Sequence, residues 1–207
     1  MARPSLTKRQ LSGLDRSGGP PPETLKGAPL RPFTIPNLIS YVRLALLPVF
    51  VWLAFEDGDG RDTTAALLYF AIAWGDQLDG LAARLTGQYS RLGALLDPHT
   101  DRALVLAGVI VCFHFELLPR WALGILAVRE VFMLGLSQWG LHRGFDLKIN
   151  MVGRWAVWPV MFAIFLTLLV DSWVAEASLY LGIALTMWAT VIYVQDGLRF
   201  SKASSST

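Results

Sequence analysis

Apolar residues run along this chain in six long stretches separated by short polar connections. A helix needs about 20 mostly apolar residues to cross a bilayer. The stretches at 37–55, 63–84, 92–114, 119–140, 152–171 and 174–196 reach or approach that length. The pattern predicts an all-α integral membrane protein with six transmembrane helices. The connections alternate in charge. "EDGDGRD" at 56–62, the "HFELLPR" turn and the "DSWVAE" turn carry many acids, with Arg61 and Arg120 as their bases. Lys8, Arg9, Arg16, Lys26, Arg31, Arg91, Arg143, Lys148, Arg154, Arg199 and Lys202 fall on the other side. Positive charge stays inside, so both termini are expected to be cytoplasmic, and an even number of spans agrees with that.

Composition sharpens this reading. At 54% hydrophobic residues the chain lies outside the habits of soluble domains. Eight Trp and five Tyr suit a protein with two bilayer interfaces to anchor. Residues 1–33 are rich in Gly, Pro and charge and lack the apolar core of a secretion signal. They read as a disordered cytoplasmic tail. The membrane domain follows at 34–198, with a short cytoplasmic tail at 199–207, and no internal repeat is apparent. The single cysteine, Cys112, cannot form an intramolecular disulfide and reads as a small buried hydrophobe. The basic residues trace a membrane face rather than a compact patch, which gives no sign of nucleic-acid binding.

Against this apolar background, "DQLDGLAARLTGQYSRLGALLDPHTD" at 76–101 places four aspartates in or beside two spans. A carboxylate at the bilayer centre costs roughly 2.5–3.5 kcal/mol. Asp76, Asp79 and Ala83 follow i, i+3, i+7 and share a helix face. Asp97 and Asp101, at i, i+4, share a face of the next helix. The short 85–91 connection makes the two helices antiparallel neighbours, so the pairs can face one another at the cytoplasmic side. Gly80, Ala83 and Gly93 are small enough for a backbone or ligand to approach closely. Hard carboxylate oxygens suit Mg²⁺ or Mn²⁺ rather than zinc. Four carboxylates can hold two divalent ions, and two ions about 3.5–4 Å apart clamp a phosphoryl group for in-line displacement. Arg84 and Arg91 flank the cluster, and Arg129, Lys148 and Arg154 come from other positions. Metals with arginines describe a phosphate site better than a cation path.

The same stretch fills D-x-x-D-G-x-x-A-R-x8-G-x3-D-x3-D at all eight fixed places, with Asp76, Asp79, Gly80, Ala83, Arg84, Gly93, Asp97 and Asp101. In this it resembles the CDP-alcohol phosphatidyltransferases over roughly 35–197. The resemblance implies that CDP-diacylglycerol binds with its pyrophosphate on two divalent ions. An acceptor hydroxyl then attacks the phosphorus that bears the lipid, and CMP leaves. It assigns Asp76, Asp79 and Asp97 as metal ligands. Asp101 becomes the general base, also able to touch metal. Gly80, Arg84 and Ser90 would contact the cytidylyl group. "PNLIS" matches the family's opening of the first span, which makes Asn37 and Ser40 nucleotide-side candidates. The resemblance also implies a homodimer; the charge alternation puts the active site on the cytoplasmic side of the plasma membrane.

The motif does not name the acceptor. "IPNLISYVRLALLPVF" and "AVRE" at 127–130 resemble the branch of phosphatidylglycerophosphate synthases, which points to glycerol-3-phosphate. Cardiolipin synthases, which use phosphatidylglycerol, share these features and the Arg in "DPHTDR". Phosphatidylglycerophosphate synthases often carry G-K-x-x-T-x-x-Q at the fifth span. Here "VGRWAVWP" has Arg154 in place of Lys, and lacks the Thr and Gln. A cationic acceptor pocket could be made by Arg129, Lys148 and Arg154. Arg129 with Glu130 could equally be a buried ion pair, and Lys148 and Arg154 could be headgroup anchors. His99 points away from both neighbouring aspartates, and Arg43 snorkels or pairs near the cavity. Two rivals remain, an intramembrane prenyltransferase and a non-enzymatic transporter with an acidic cluster.

Overall fold

The structure, a computed structural model, describes residues 29–56, 58–143 and 151–204. The expected N-terminal tail therefore lies almost wholly outside the described residues, as does Lys148. Each of the six apolar stretches is a helix: α1 Ile35–Glu56, α2 Thr63–Thr86, α3 Arg91–His114, α4 Arg120–Arg143, α5 Met151–Leu169 and α6 Trp173–Ser204. No strand occurs among the described residues. The last helix runs on to Ser204, well past the expected end of its span at 196 and into the expected tail.

The helix starts are written in local chemistry. Thr34, Asp62, Ser90 and Ser172 precede α1, α2, α3 and α6. The side-chain oxygens of the first three accept from the backbone N–H of Asn37, Ala65 and Gly93, at 3.4, 2.6 and 2.9 Å. The Ser172 hydroxyl accepts from Val174 N–H at 3.3 Å. Each cap satisfies a donor that the first helical turn leaves without a partner. Helix α2 ends where Gly87 takes φ +63°, the left-handed conformation that glycine adopts without penalty.

Among the described residues, two helices, at Ile35–Glu56 and Trp173–Gln195, are long and apolar enough to cross a membrane. The 22 residues of α1 extend about 33 Å. Helices α2 and α3 are as long, but Asp76, Asp79 and Arg84 on α2, and Asp97, Asp101 and Arg102 on α3, dilute their apolar runs.

Packing divides the chain into two compact units, Met1–Val49 with Phe70–Leu104, and Phe50–Tyr69 with Val105–Thr207. The interior of the first is notably polar: Asn37, Ser40, Arg43, Asp79, Ser90 and Thr100 are all buried. The second has an apolar core that includes Phe50, Tyr69, Leu123, Ile164 and Leu179. The rings of Phe50 and Tyr69 meet there at 5.2 Å. In that unit α5 packs along α6, where a Cβ on Gly182 would stand 2.9 Å from the backbone nitrogen of Val160. Such closeness is what a small residue permits between helices.

Three connections gather at one end of the second unit. Arg61 pairs with Asp171 at 3.4 Å, and its Nε donates to the Thr167 carbonyl at 3.4 Å. The Thr167 hydroxyl donates to the Leu117 carbonyl at 3.2 Å. Gly60 sits against the ring of Phe115, leaving no room for a Cβ. These are the acid-rich connections that the charge alternation placed on one side.

Candidate active site

The motif aspartates all lie in the first unit, and they converge on one cation. Arg43 projects from α1 with 2% of its surface exposed. Its Nη1 donates to Asp79 Oδ2 at 3.1 Å and lies 3.7 Å from Asp76 Oδ1. Its Nη2 donates to Asp101 Oδ1 at 2.9 Å, and its Nε donates to the Ile72 carbonyl at 2.8 Å. Asp97 joins through Ser40, whose hydroxyl stands 3.4 Å from Asp97 Oδ1, 3.4 Å from Asp79 Oδ2 and 3.3 Å from the Pro36 carbonyl. One hydroxyl proton serves three acceptors, all at long range. Carboxylates from α2 and α3 thus come together as the helical spacing predicted, and they meet side chains from α1 that the spacing did not predict. Asp79 is buried, whereas Asp76 and Asp101 each keep about a third of the side chain exposed (35% and 33%).

The donors are all hard oxygens, and the chemistry of this set fits Mg²⁺ or Mn²⁺. Among the described residues, no three His, Cys, Asp or Glu side chains stand close enough together to hold an ion as they are placed. A planar guanidinium spreads its acceptors over separate nitrogens. An ion shell of about 2.0–2.1 Å would draw them closer.

Beside this cluster lies a second node. The Asn37 side-chain amide donates to the carbonyls of Arg31 and Pro32 at 3.0 and 3.2 Å. Its oxygen accepts from the Ser90 hydroxyl at 2.8 Å. Ser90 also caps α3 through Gly93 N–H. Gln88 adds a bond from the Ile35 N–H at 3.0 Å. Asn37 and Ser90, expected on the nucleotide side, therefore spend their polar atoms on tying the start of α1 to the α2–α3 connection. Gly93 belongs to this tie: its missing Cβ would stand 2.6 Å from Asn37 Oδ1. Gly80 differs. Arg84 lies one turn along α2, with Nη1 3.4 Å from where a Gly80 Cβ would be. Glycine and guanidinium form one surface next to Asp76 and Asp79.

The other expected acceptor residues separate. Arg129 lies in the second unit, 8% exposed, and its nitrogens are engaged. Nη1 pairs with Glu130, Nε donates to the Thr190 hydroxyl at 3.0 Å, and Nη2 donates to the Thr186 carbonyl at 3.5 Å. Arg154 lies on α5, and its side chain is outside what is described, as is Lys148. His99 turns to its own helix, with Nδ1 2.6 Å from the Leu95 carbonyl. Sequence reasoning expected Arg43 to snorkel or pair near the cavity, and it pairs there, but the central place it takes and the role of Gly75 were not foreseen. A Cβ at Gly75 would stand 2.7 Å from Arg43 Cδ. The signal was there: a charge inside an apolar helix, three residues after Ser40 and six after Asn37.

A model of the CDP-alcohol phosphatidyltransferase family matches residues 33–188. The chain belongs to this family. The transferase is 35% identical over 176 residues to a protein of Streptomyces coelicolor named cardiolipin synthase (CMP-forming), covering 82% of each chain. It is 29% identical over 173 residues to the CDP-diacylglycerol–glycerol-3-phosphate 3-phosphatidyltransferase of Bacillus subtilis, covering 78% of this chain and 89% of that one. The protein of the same name from Escherichia coli K12 is also 29% identical over 173 residues, with 78% and 93% covered. It is an enzyme of phosphatidyl transfer, and its helices fit a membrane protein.

Proposed function

We propose that this transferase moves a phosphatidyl group from CDP-diacylglycerol to phosphatidylglycerol, making cardiolipin and releasing CMP. The observation that carries the transfer reaction is the convergence of Asp76, Asp79, Asp97 and Asp101 on one buried point, beside the Gly80–Arg84 surface. Asp76, Asp79, Asp97 and Asp101 would hold two Mg²⁺ or Mn²⁺ ions. Bound there, the ions would neutralise charge on the transferring phosphoryl group. Gly80 leaves room for the cytidylyl group against α2, and Arg84 offers it a fork of donors. Asn37 and Ser90 hold the two segments that frame that surface, and Ser40 keeps Asp79 and Asp97 in register. The acceptor hydroxyl attacks the phosphorus that bears the diacylglycerol. As the new P–O bond forms, the bond to the CMP phosphate breaks, and Asp101 takes the hydroxyl proton.

Two features favour phosphatidylglycerol over glycerol-3-phosphate, the acceptor placed first by the sequence pattern. The 35% relative is named as a cardiolipin synthase, and the fifth span lacks the Lys, Thr and Gln of the glycerol-3-phosphate pattern. Arg129, moreover, is committed to Glu130 and α6, which removes one cation from the pocket that a small anionic acceptor would need. The glycerol-3-phosphate reading rests on the opening of the first span, on "AVRE" at 127–130 and on relatives of that name at 29–30% identity.

The enzyme is proposed to cross the plasma membrane six times as a homodimer, with both termini and the aspartates on the cytoplasmic side. Exposed apolar side chains support contact with lipid: Leu38, Val42 and Trp52 on α1, Trp121, Val128 and Phe132 on α4, and Leu181, Trp188 and Val191 on α6. The gathering of the acid-rich connections at one end of the second unit supports the sidedness. The test is CMP release from CDP-diacylglycerol by purified protein with Mg²⁺ or Mn²⁺, run against each acceptor with the lipid product identified. Cardiolipin from phosphatidylglycerol is expected, and EDTA should abolish it. Turnover with glycerol-3-phosphate alone would overturn the acceptor, and full activity without metal would overturn the ions.

A further inference from the structure

Arg43 has no part in the chemistry above, yet it occupies the centre of the site. It is a charge placed inside a 22-residue apolar helix, which is costly unless its partners are built for it. They are. Its Nε is tethered to the Ile72 carbonyl, and its two terminal nitrogens reach Asp79 on α2 and Asp101 on α3, with Asp76 close by. Gly75 leaves the channel for its stem, since a Cβ there would stand 2.7 Å from Cδ and 3.0 Å from Cγ and Nε. A guanidinium keeps its charge at any working pH. Four carboxylates facing one another across two helices would otherwise repel, and α1 supplies a buried cation that reaches both aspartate helices.

We propose that Arg43 is a built-in substitute for the metal, holding Asp79 and Asp101 together in the ion-free enzyme and surrendering those oxygens when divalent ions bind. This rests on the reading of the aspartates as metal ligands. Guanidinium and ion compete for the same oxygen atoms: Asp79 Oδ2 and Asp101 Oδ1 each accept a charge-assisted N–H bond from Arg43. The Nε tether uses no carboxylate, so the side chain can release both aspartates and remain in place beside the site. Arg43 is thus a positioning residue, one that sets how tightly ions are held and keeps the site assembled between occupancies.

The experiment uses the full chain in detergent or nanodiscs, with Mn²⁺ as the probe. Mn²⁺ binding is followed by electron paramagnetic resonance, and thermal unfolding is followed in EDTA and in saturating Mn²⁺. Arg43→Met keeps a long apolar stem and removes the competitor. It should unfold at lower temperature than wild type in EDTA and gain more from Mn²⁺. It should bind Mn²⁺ about tenfold tighter, the exchange of a charge-assisted bond. Arg43→Lys, with a single ammonium, should recover part of the EDTA stability, which a purely steric role would not predict. Unchanged Mn²⁺ affinity in Arg43→Met, or weaker binding with the fold intact, overturns the proposal. Should Arg43→Met fail to fold, the double variant Arg43→Met with Asp79→Asn removes one carboxylate with the cation and should restore folding. If it does not, Arg43 is a packing residue and the proposal falls. Wild-type protein that neither binds Mn²⁺ nor gains stability from it overturns the metal reading and this inference together. Wild-type binding with an unaltered Arg43→Met overturns the inference alone.

Discussion

Gly80 and Gly93 occupy equivalent-looking places in one motif, yet the structure assigns them opposite consequences. At Gly93 an added Cβ would stand 2.6 Å from Asn37 Oδ1 and 3.1 Å from Ser90 Oγ. The Asn37 oxygen cannot swing aside freely, because its amide is fixed to the Arg31 and Pro32 carbonyls and the oxygen itself accepts from Ser90. Asn37 is fully buried, so Gly93→Ala should break at least one bond of the node. Leaving a buried amide without its partner costs about 1–3 kcal/mol. Alanine's better helix propensity offsets at most about 1 kcal/mol of that. A net loss of about 1–2 kcal/mol lowers Tm by about 2–8 °C for a chain of this size. At Gly80 the nearest atom to an added Cβ is Arg84 Nη1 at 3.4 Å, the far end of a flexible side chain. Gly80→Ala should therefore leave Tm unchanged or raise it slightly, while CMP release falls because the methyl group occupies the proposed cytidylyl surface. The assay is paired on each variant: thermal unfolding, then CMP release and CDP-diacylglycerol binding on the same preparation. Gly93→Ala with wild-type Tm would refute the tie through Asn37. Gly80→Ala with full activity would refute nucleotide packing on α2.

The other expectations are as direct. Asp101→Asn should bind CDP-diacylglycerol with metal within about tenfold of wild type, while turnover falls by on the order of 10²–10⁴. Loss of binding as complete as in Asp76→Asn would make Asp101 chiefly a metal ligand. Arg129→Lys gives up the fork that joins Glu130 to Thr186 and Thr190, so it should destabilise by roughly 1–3 kcal/mol and leave the acceptor KM unchanged. A raised KM at unchanged Tm would return Arg129 to the acceptor pocket. In a Cys112→Ala background, Asp59→Cys should react with an impermeant thiol reagent on intact cells and Gln88→Cys should not. Both positions are solvent-exposed, so membrane side rather than burial decides the labelling, and the reverse pattern would invert the topology.

The linear chain by itself determined the helices and the grouping of the four aspartates. Hydrophobic runs of about 20 residues have one stable backbone solution in an apolar medium, the helix. The expected stretches accordingly recur as α1 to α6 to within a few residues at most ends. The aspartates were legible for the same local reason. Spacings of three and four residues put them on shared faces, and a short connection turns those faces toward each other. The α6 extension to Ser204 was not legible, because hydropathy marks where a segment is apolar rather than where its helix stops.

What only the tertiary structure decided is which polar side chains answer one another across the sequence. Arg43 meets Asp101 from 58 positions away, and Asn37 meets Ser90 from 53. The family resemblance put Asn37 and Ser90 on the nucleotide side, and the sequence left Arg129 either an acceptor cation or the buried partner of Glu130. Each is buried, and a buried polar group must find a partner inside the protein. That demand is met by whichever helix packs alongside, a pairing that spacing along one helix does not encode. Gly75 and Gly93 follow the same logic: what each lacks is a Cβ that would collide with a side chain from α1, so their reason for being glycine exists only once α1 lies against α2 and α3.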